Sequence, residues 1–182
     1  MTKKTDNIVL LRKLTLSDKV ILAELLNNKK IWDNLRNRIP YPYQEKDAEN
    51  FINLINNDNL QHVFAIEYDE NFCGVIGLEV QKDVYEKSAE LGYWIGEPFW
   101  GKGIATEAVK LITEIGFNTL NLLRIYAGVF EYNIASMKVL EKNGFLKEGV
   151  FRKAIFKNGK IFDEHRYYKL NPNEHNATQQ KI

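Results

Sequence analysis

Leu91–Thr106, LGYWIGEPFWGKGIAT, decides how this chain is read. An aromatic-rich strand runs into Gly101-Lys102-Gly103, and a helical pattern begins at once. Two glycines at a strand-to-helix turn let main-chain amides approach a ligand with no side chain in the way. The helix behind them aims its first, unpaired N–H groups and the positive end of its dipole at the same place. A turn of this kind is a cradle for phosphate. Two other phosphate loops are excluded. A Walker A loop needs GxxxxGK[ST], a spacing absent here. A GxGxxG fingerprint fails at its third glycine, where Thr106 stands, and the surrounding element order is wrong for a dinucleotide fold. The remaining alternative is a glycine-rich turn with no ligand.

Working outward, Ile8–Lys13 reads as a first strand, with Ser17 as the cap of a following helix and Asp18 in its first turn. Trp32–Tyr43 reads as loop, and Ala48, Phe51, Ile52 and Ile55 mark a second helix fading into Asn56–Asn59. Val63–Tyr68 and Phe72–Lys82 form a hairpin, followed by a strand Ala89–Ile95. Pro98 lacks a donor N–H, so regular pairing fails near it. Gly103–Asn118 is a helix, Arg124–Phe130 a strand, and Asn133–Asn143 a helix capped by Asn133 and ended by Gly144. Phe145–Phe156 and Ile161–Leu170 flank Asn158-Gly159, a strong hairpin turn. The order predicts a mixed α+β fold on a mostly antiparallel sheet, in a single domain over residues 1–170. The polar stretch 171–182 is expected to be a disordered tail.

Composition narrows the function. At 182 residues the chain can bury a proper core. A formal charge of +1 gives no bulk attraction to nucleic acid or acidic membranes. Met1–Asp6 is polar and unlike a signal peptide, and no apolar run approaches the roughly 18 residues of a membrane span. The single cysteine, Cys73, forms no internal disulfide and fits a reducing compartment. These features predict a soluble, cytoplasmic protein with no nucleic-acid or membrane partner. His62, His165 and His175 lack metal-ligand spacing, so no metal is expected. Cys73 could carry an acyl group, but its apolar strand neighbours favour a buried thiol.

A second cluster lies 27 residues past Thr106: Asn133-Ile134-Ala135-Ser136, ending in Glu141-Lys142-Asn143-Gly144-Phe145. With both clusters in view, the chain resembles the GNAT superfamily of acyl-CoA-dependent N-acetyltransferases, and more closely its RimJ/RimL type. The family's pyrophosphate loop, Q/R-x-x-G-x-G/A, corresponds to Trp100-Gly101-Lys102-Gly103-Ile104-Ala105, with Trp100 in place of the usual polar residue. The N-x-x-S and E-K-x-G-F elements are complete, and the resemblance runs from about Ile8 to Leu170. It implies a twisted sheet of about seven strands with helices on both faces, acetyl-CoA as co-substrate, and an amine acceptor. The best-known RimJ/RimL members acetylate protein N-terminal amines; a polyamine, amino sugar or antibiotic amine is the alternative, as is a non-catalytic CoA-binding module. An exposed sheet edge would permit a homodimer.

The physical reading agrees. A pyrophosphate needs several amide donors and positive potential; Gly101, Gly103, Ile104, Ala105 and Thr106 offer the amides, and Lys102 with the helix dipole offers the charge. The resemblance implies that the strand ending at Ile95 splays from Arg124–Phe130. Pantetheine then pairs with the edge at Trp94, Ile95 and Gly96 like an added strand, and an N–H near Ile95 faces the oxyanion. Asn133 is a helix cap, to which the family adds a contact to the cofactor. Ser136 is either a helix-bonded serine or the donor to the departing thiolate. Many family members use a tyrosine one turn later, where this chain has Leu140. Glu90, on the strand before the loop, stands where several members place a carboxylate base; an ordinary strand-edge acid is the other reading, and Glu79 is a second candidate base. The carboxylate that RimL-like enzymes draw from a later strand has no counterpart, since Ile155 stands there. An α-amine, with a pKa of about 8, needs only modest help to become neutral, unlike a lysine amine at about 10.4. Arg36, Arg38, Tyr41 and Tyr43 either line a substrate mouth or pack a surface loop. Glu45, Asp47 and Glu49 would suit a polyamine only if they faced inward.

Overall fold

The computed structural model describes residues 8–57 and 62–172. The readings of Met1–Asp6, of His175 and of the tail from residue 173 onward lie outside the described residues, as do Asp58 and Asn59. The elements run β1 (Val9–Lys13), α1 (Lys19–Leu26), α2 (Lys29–Trp32), α3 (Glu45–Asn57), β2 (Val63–Tyr68), β3 (Asn71–Val80), β4 (Ser88–Ile95), α4 (Ile104–Glu114), β5 (Arg124–Phe130), α5 (Ile134–Lys142), β6 (Leu146–Lys157) and β7 (Lys160–Leu170). The strands form one seven-stranded sheet in the order β1-β2-β3-β4-β5-β7-β6. Pairs β1–β2, β2–β3, β5–β7 and β6–β7 are antiparallel, and β4–β5 is parallel. The parallel pair is the one joined through a helix, α4, as a crossover requires.

The described chain gathers into two compact units. One holds the chain up to Gly77 and Tyr93–Ala108; the other holds Leu78–Gly92 and everything from Val109 on. In the first, Leu22, Ala23 and Leu26 of α1 and Ala48, Ile52 and Ile55 of α3 bury against Ala65, Phe72 and Val75. Both helices present apolar residues three and four apart, so each has one face to bury. In the second, Ile112, Phe117, Ile125, Ala127, Val129, Leu140 and Phe145 are buried. Alternate residues of β5 are buried, Ile125, Ala127 and Val129, the period of a strand with one face covered.

Several expectations are corrected in detail. Ser17 does not cap α1; it lies inside a 3-10 turn, Leu16–Asp18, that precedes the helix. Thr15 opens that turn, and its N–H donates to the Asp18 carboxylate (2.8 Å). Arg12 donates two more bonds to Asp18, at 2.8 and 2.9 Å, so the acidic side chain is buried but paired. The segment read as loop before Tyr43 begins with a short helix, Lys29–Trp32, capped by Asn28, whose side chain accepts from the Lys30 N–H. The helix predicted to Asn118 is α-helical to Glu114 and then widens into a π turn, Ile115–Thr119. Gly116 lies in that turn, where an added Cβ would come within 2.7 Å of Ile125 and 2.9 Å of Leu78 side chains. Asn158 (φ 53°) and Gly159 (φ 73°) both take the left-handed region, so the β6–β7 turn is of the predicted type.

Candidate active site

The cradle and the strand that feeds it lie in the first unit. β4 ends at Ile95, and the Gly96 N–H donates back to the Cys73 carbonyl (2.8 Å). This holds the strand end against β3. The approach is close: a Cβ on Gly74 would lie 2.2 Å from the Trp94 carbonyl oxygen. Trp94 is half-buried and packs against Phe72. A 3-10 turn, Glu97–Phe99, follows with Pro98 in its first positions, where a missing N–H does no harm. Glu97 is braced by two groups from the start of α2. It pairs with the Lys30 ammonium and accepts from Asn28 Nδ2 (2.7 Å), which together hold its carboxyl below the usual carboxylate range.

The loop itself is open. Gly101 (φ 76°) and Gly103 (φ 78°) take conformations that a side chain disfavours, and a Cβ on either would meet no atom within 4 Å. Space therefore lies over both, as a bound group requires. α4 starts at Ile104, and helix geometry leaves its first amides without a carbonyl in their own helix. Lys102 holds its ammonium 5.4 Å from the Phe99 ring centre and 5.9 Å from that of Tyr68. The one cation of the loop is thus positioned by two aromatic faces. Trp100 is tied in as well: its indole N–H donates to the Ile95 carbonyl (2.7 Å), so the loop grips the last residue of β4. Neither Tyr68 nor this indole bond is visible in the sequence. Such an arrangement of bare amides, open glycines and one fixed cation fits a diphosphate.

The remaining candidates lie in the second unit. Asn133 caps α5, its side chain accepting from the Ser136 N–H (3.1 Å). That contact places Ser136, half-buried, in the first turn of the helix. Leu140, one turn on, is fully buried and belongs to the core. The end of the motif is structural. Glu141 accepts from the buried Tyr167 hydroxyl (2.9 Å), Gly144 (φ 74°) ends the helix, and the Lys169 ammonium donates to the Asn143 carbonyl (2.7 Å). Burial, with the Glu141 bond, pushes Tyr167 up to about 12. Glu79 is exposed on β3. Glu90 is half-buried and stands opposite Tyr126 on β5. The β4–β5 ladder covers only Ser88–Glu90 against Arg124–Tyr126, although β5 continues to Phe130 fully paired with β7 on its other side.

Two further readings are settled locally. Cys73 is fully buried, its S–H directed at the Ile66 carbonyl (3.3 Å), and burial pushes the thiol up to about 12. It is a core residue and no acyl carrier. In the loop after α2, the Trp32 indole N–H donates to the Ile39 carbonyl (2.7 Å) and its ring meets Tyr41, while Tyr43 is buried. These aromatics pack the loop; Arg36 and Arg38 stay at its exposed surface. Among the described residues no three metal-ligating side chains gather, and no described helix is long and apolar enough to cross a membrane.

Comparison with known proteins supplies the family. The acetyltransferase (GNAT) domain family matches residues 9–146. "Probable N-acetyltransferase YjcK" of Bacillus subtilis (strain 168) is 45% identical over 108 residues, a match spanning 58% of this chain and 59% of that relative. "Uncharacterized N-acetyltransferase p20" of Bacillus licheniformis is 33% identical over 162 residues, 86% of this chain and 89% of the relative. Among solved structures, the spermidine N-acetyltransferase of Vibrio cholerae in complex with CoA and spermine superposes with a TM-score of 0.77 at 29% identity, covering 90% of this chain and 95% of that one. The loop geometry and these matches converge: the chain belongs to the GNAT family of acetyltransferases.

Proposed function

We propose that this chain transfers an acetyl group from acetyl-CoA to a primary amine, by direct attack within a ternary complex. The carrying observation is the loop Trp100–Thr106, with open left-handed glycines, the start of α4, and Lys102 fixed over Phe99 and Tyr68. In this reading the diphosphate rests on amides of Gly101, Gly103, Ile104, Ala105 and Thr106, and the pantetheine runs along Trp94, Ile95 and Gly96. The short β4–β5 ladder supports this placement, because β5 beyond Tyr126 has an edge without a β4 rung. Asn133 positions the first turn of α5, and Ser136 donates to the departing thiolate.

The acceptor proposed is the α-amine of a protein or peptide N-terminus, as the RimJ/RimL resemblance implies. One observation counts against a polyamine. The carboxylates that would suit it are engaged elsewhere: Asp47 accepts from the Gln44 N–H (2.9 Å), Glu49 pairs with Lys46 and Lys19, and Glu45 is exposed. The relative from Vibrio cholerae keeps the polyamine as the acceptor to test against.

Release of CoA thiol from acetyl-CoA, measured with a peptide bearing a free N-terminal alanine and with spermidine, tests the reading. Turnover of the peptide is expected. Saturable binding of CoA with no turnover of any amine would leave a binding module instead. Ser136→Ala is expected to lower kcat with little change in acetyl-CoA affinity; an unaltered kcat with chemistry rate-limiting removes Ser136 from the mechanism.

A further inference from the structure

Gly128 lies on β5 two residues beyond Tyr126, where the ladder with β4 ends. A Cβ at this position would come 2.7 Å from Cδ of Glu164 and 2.8 and 2.9 Å from its two carboxylate oxygens. The carboxylate of β7 therefore lies across β5 in the space that any other residue would fill. It is also held there. Arg166 donates two bonds to one oxygen, Oε1, at 2.6 and 3.2 Å. The guanidinium is itself layered between Phe151, 4.4 Å from the ring centre, and Tyr126, at 5.1 Å. The Glu164 side chain keeps 20% of its surface exposed. The result is a fixed, reachable carboxylate over the half of β5 that carries no β4 rung. Glu90, in register with Tyr126, lies on the same face but at the last closed rung.

We propose that Glu164 is the group that takes the proton from the acceptor amine. The inference rests on the acetyl-transfer reading above, in which the thioester lies along the unladdered edges of β4 and β5. The acceptor arrives as an ammonium, and one N–H proton passes to the Glu164 carboxylate. The freed lone pair forms the C–N bond to the thioester carbonyl carbon. Collapse of the tetrahedral adduct breaks the C–S bond and leaves the electron pair on sulfur. The second nitrogen proton is lost as the sulfur gains one, so the products are an amide, CoA thiol, and the proton that Glu164 returns to solvent. Arg166 is a positioning residue in this scheme.

The test compares Glu164→Gln and Glu90→Gln with the unmodified protein, using acetyl-CoA with the alanine peptide and with spermidine. Glu164→Gln is expected to lower kcat/KM at pH 7 by about 100-fold, the lower range for loss of a general base. The loss should shrink as the pH passes about 8, where an α-amine is already neutral. Acetyl-CoA affinity, measured by calorimetry, should stay within about two-fold. Gly128→Ala should push the carboxylate aside and mimic the loss, yet add nothing in a Glu164→Ala background, the non-additivity of two residues in contact. A pH profile unchanged by Glu164→Gln, or a profile moved by Glu90→Gln alone, overturns the assignment while leaving acetyl transfer intact. If the unmodified protein acetylates neither amine, the acetyl-transfer reading falls, and this assignment with it.

Discussion

Trp100 occupies a place where the family pattern has a polar side chain, and its indole explains why the exchange works. The ring supplies a single donor, and that donor meets the carbonyl of Ile95 at 2.7 Å. Trp100→Phe keeps the ring and removes the bond. Because the ring is 46% exposed, water can reach the freed carbonyl, and the stability loss should be below about 1 kcal/mol. The loop loses its tie to β4, so acetyl-CoA affinity should fall by about five-fold, the worth of one such bond, as read by titration calorimetry. A different charge effect operates at Asp18. Burial alone would raise its carboxyl, but the Arg12 guanidinium and the Thr15 N–H hold it below the usual range. Stability from this group is therefore complete above the unfolded value of about 3.9 and is lost as pH falls through the lower folded value. Thermal midpoints measured from pH 6 down to pH 2 should drop in acid. Asp18→Asn should flatten that drop and cost roughly 2 kcal/mol at neutral pH. The glycines and Lys102 were legible as a ligand loop because their spacing is local. The indole bond, the Tyr68 face and Glu164 over Gly128 were not, because each joins residues brought together only by the sheet.

At the scale of elements, the closest tolerance in the molecule lies between β3 and β4. Gly74→Ala would drive a methyl group into the Trp94 carbonyl at 2.2 Å, a backbone atom with no rotamer to escape into. The expected cost is roughly 3 kcal/mol in urea denaturation, with weaker CoA binding, since Trp94 precedes the loop. Asn133→Ala should remove the cap of α5 and cost about 1 kcal/mol; a larger drop in kcat than in stability would show that the helix start has a second duty. Secondary structure was legible wherever one signal dominated. Val63–Tyr68 and Arg124–Phe130 match their predicted limits, because alternation and turn residues agree there. The start of α1 was misread because Ser17 and Thr15 carry the same hydroxyl, and only the Asp18 contact identifies which residue opens the turn. The π turn at Ile115–Thr119 keeps apolar residues at helical spacing and so leaves no trace in the sequence.

For the molecule as a whole, the strongest expectation concerns ligand linkage. A ligand that binds only the folded state at 100 times its Kd adds about 2.7 kcal/mol. For a chain of 182 residues, each kcal/mol is worth about 2–4 °C. Thermal unfolding in saturating CoA should therefore rise by roughly 5–10 °C, and adenosine at the same concentration should give less because it lacks the diphosphate. The fold class was legible from the element order alone. The sheet order β5-β7-β6 was not, since a hairpin such as β6–β7 can join a sheet by either strand.

The burial of Cys73 has a practical consequence for anyone assaying the protein. It is the chain's single sulfhydryl, sealed from solvent and kept protonated at ordinary pH. Reagents that colour on meeting free thiolate should leave the folded polypeptide untouched. A continuous colorimetric readout will then count product alone, with no background from the catalyst, until heat or denaturant exposes the interior.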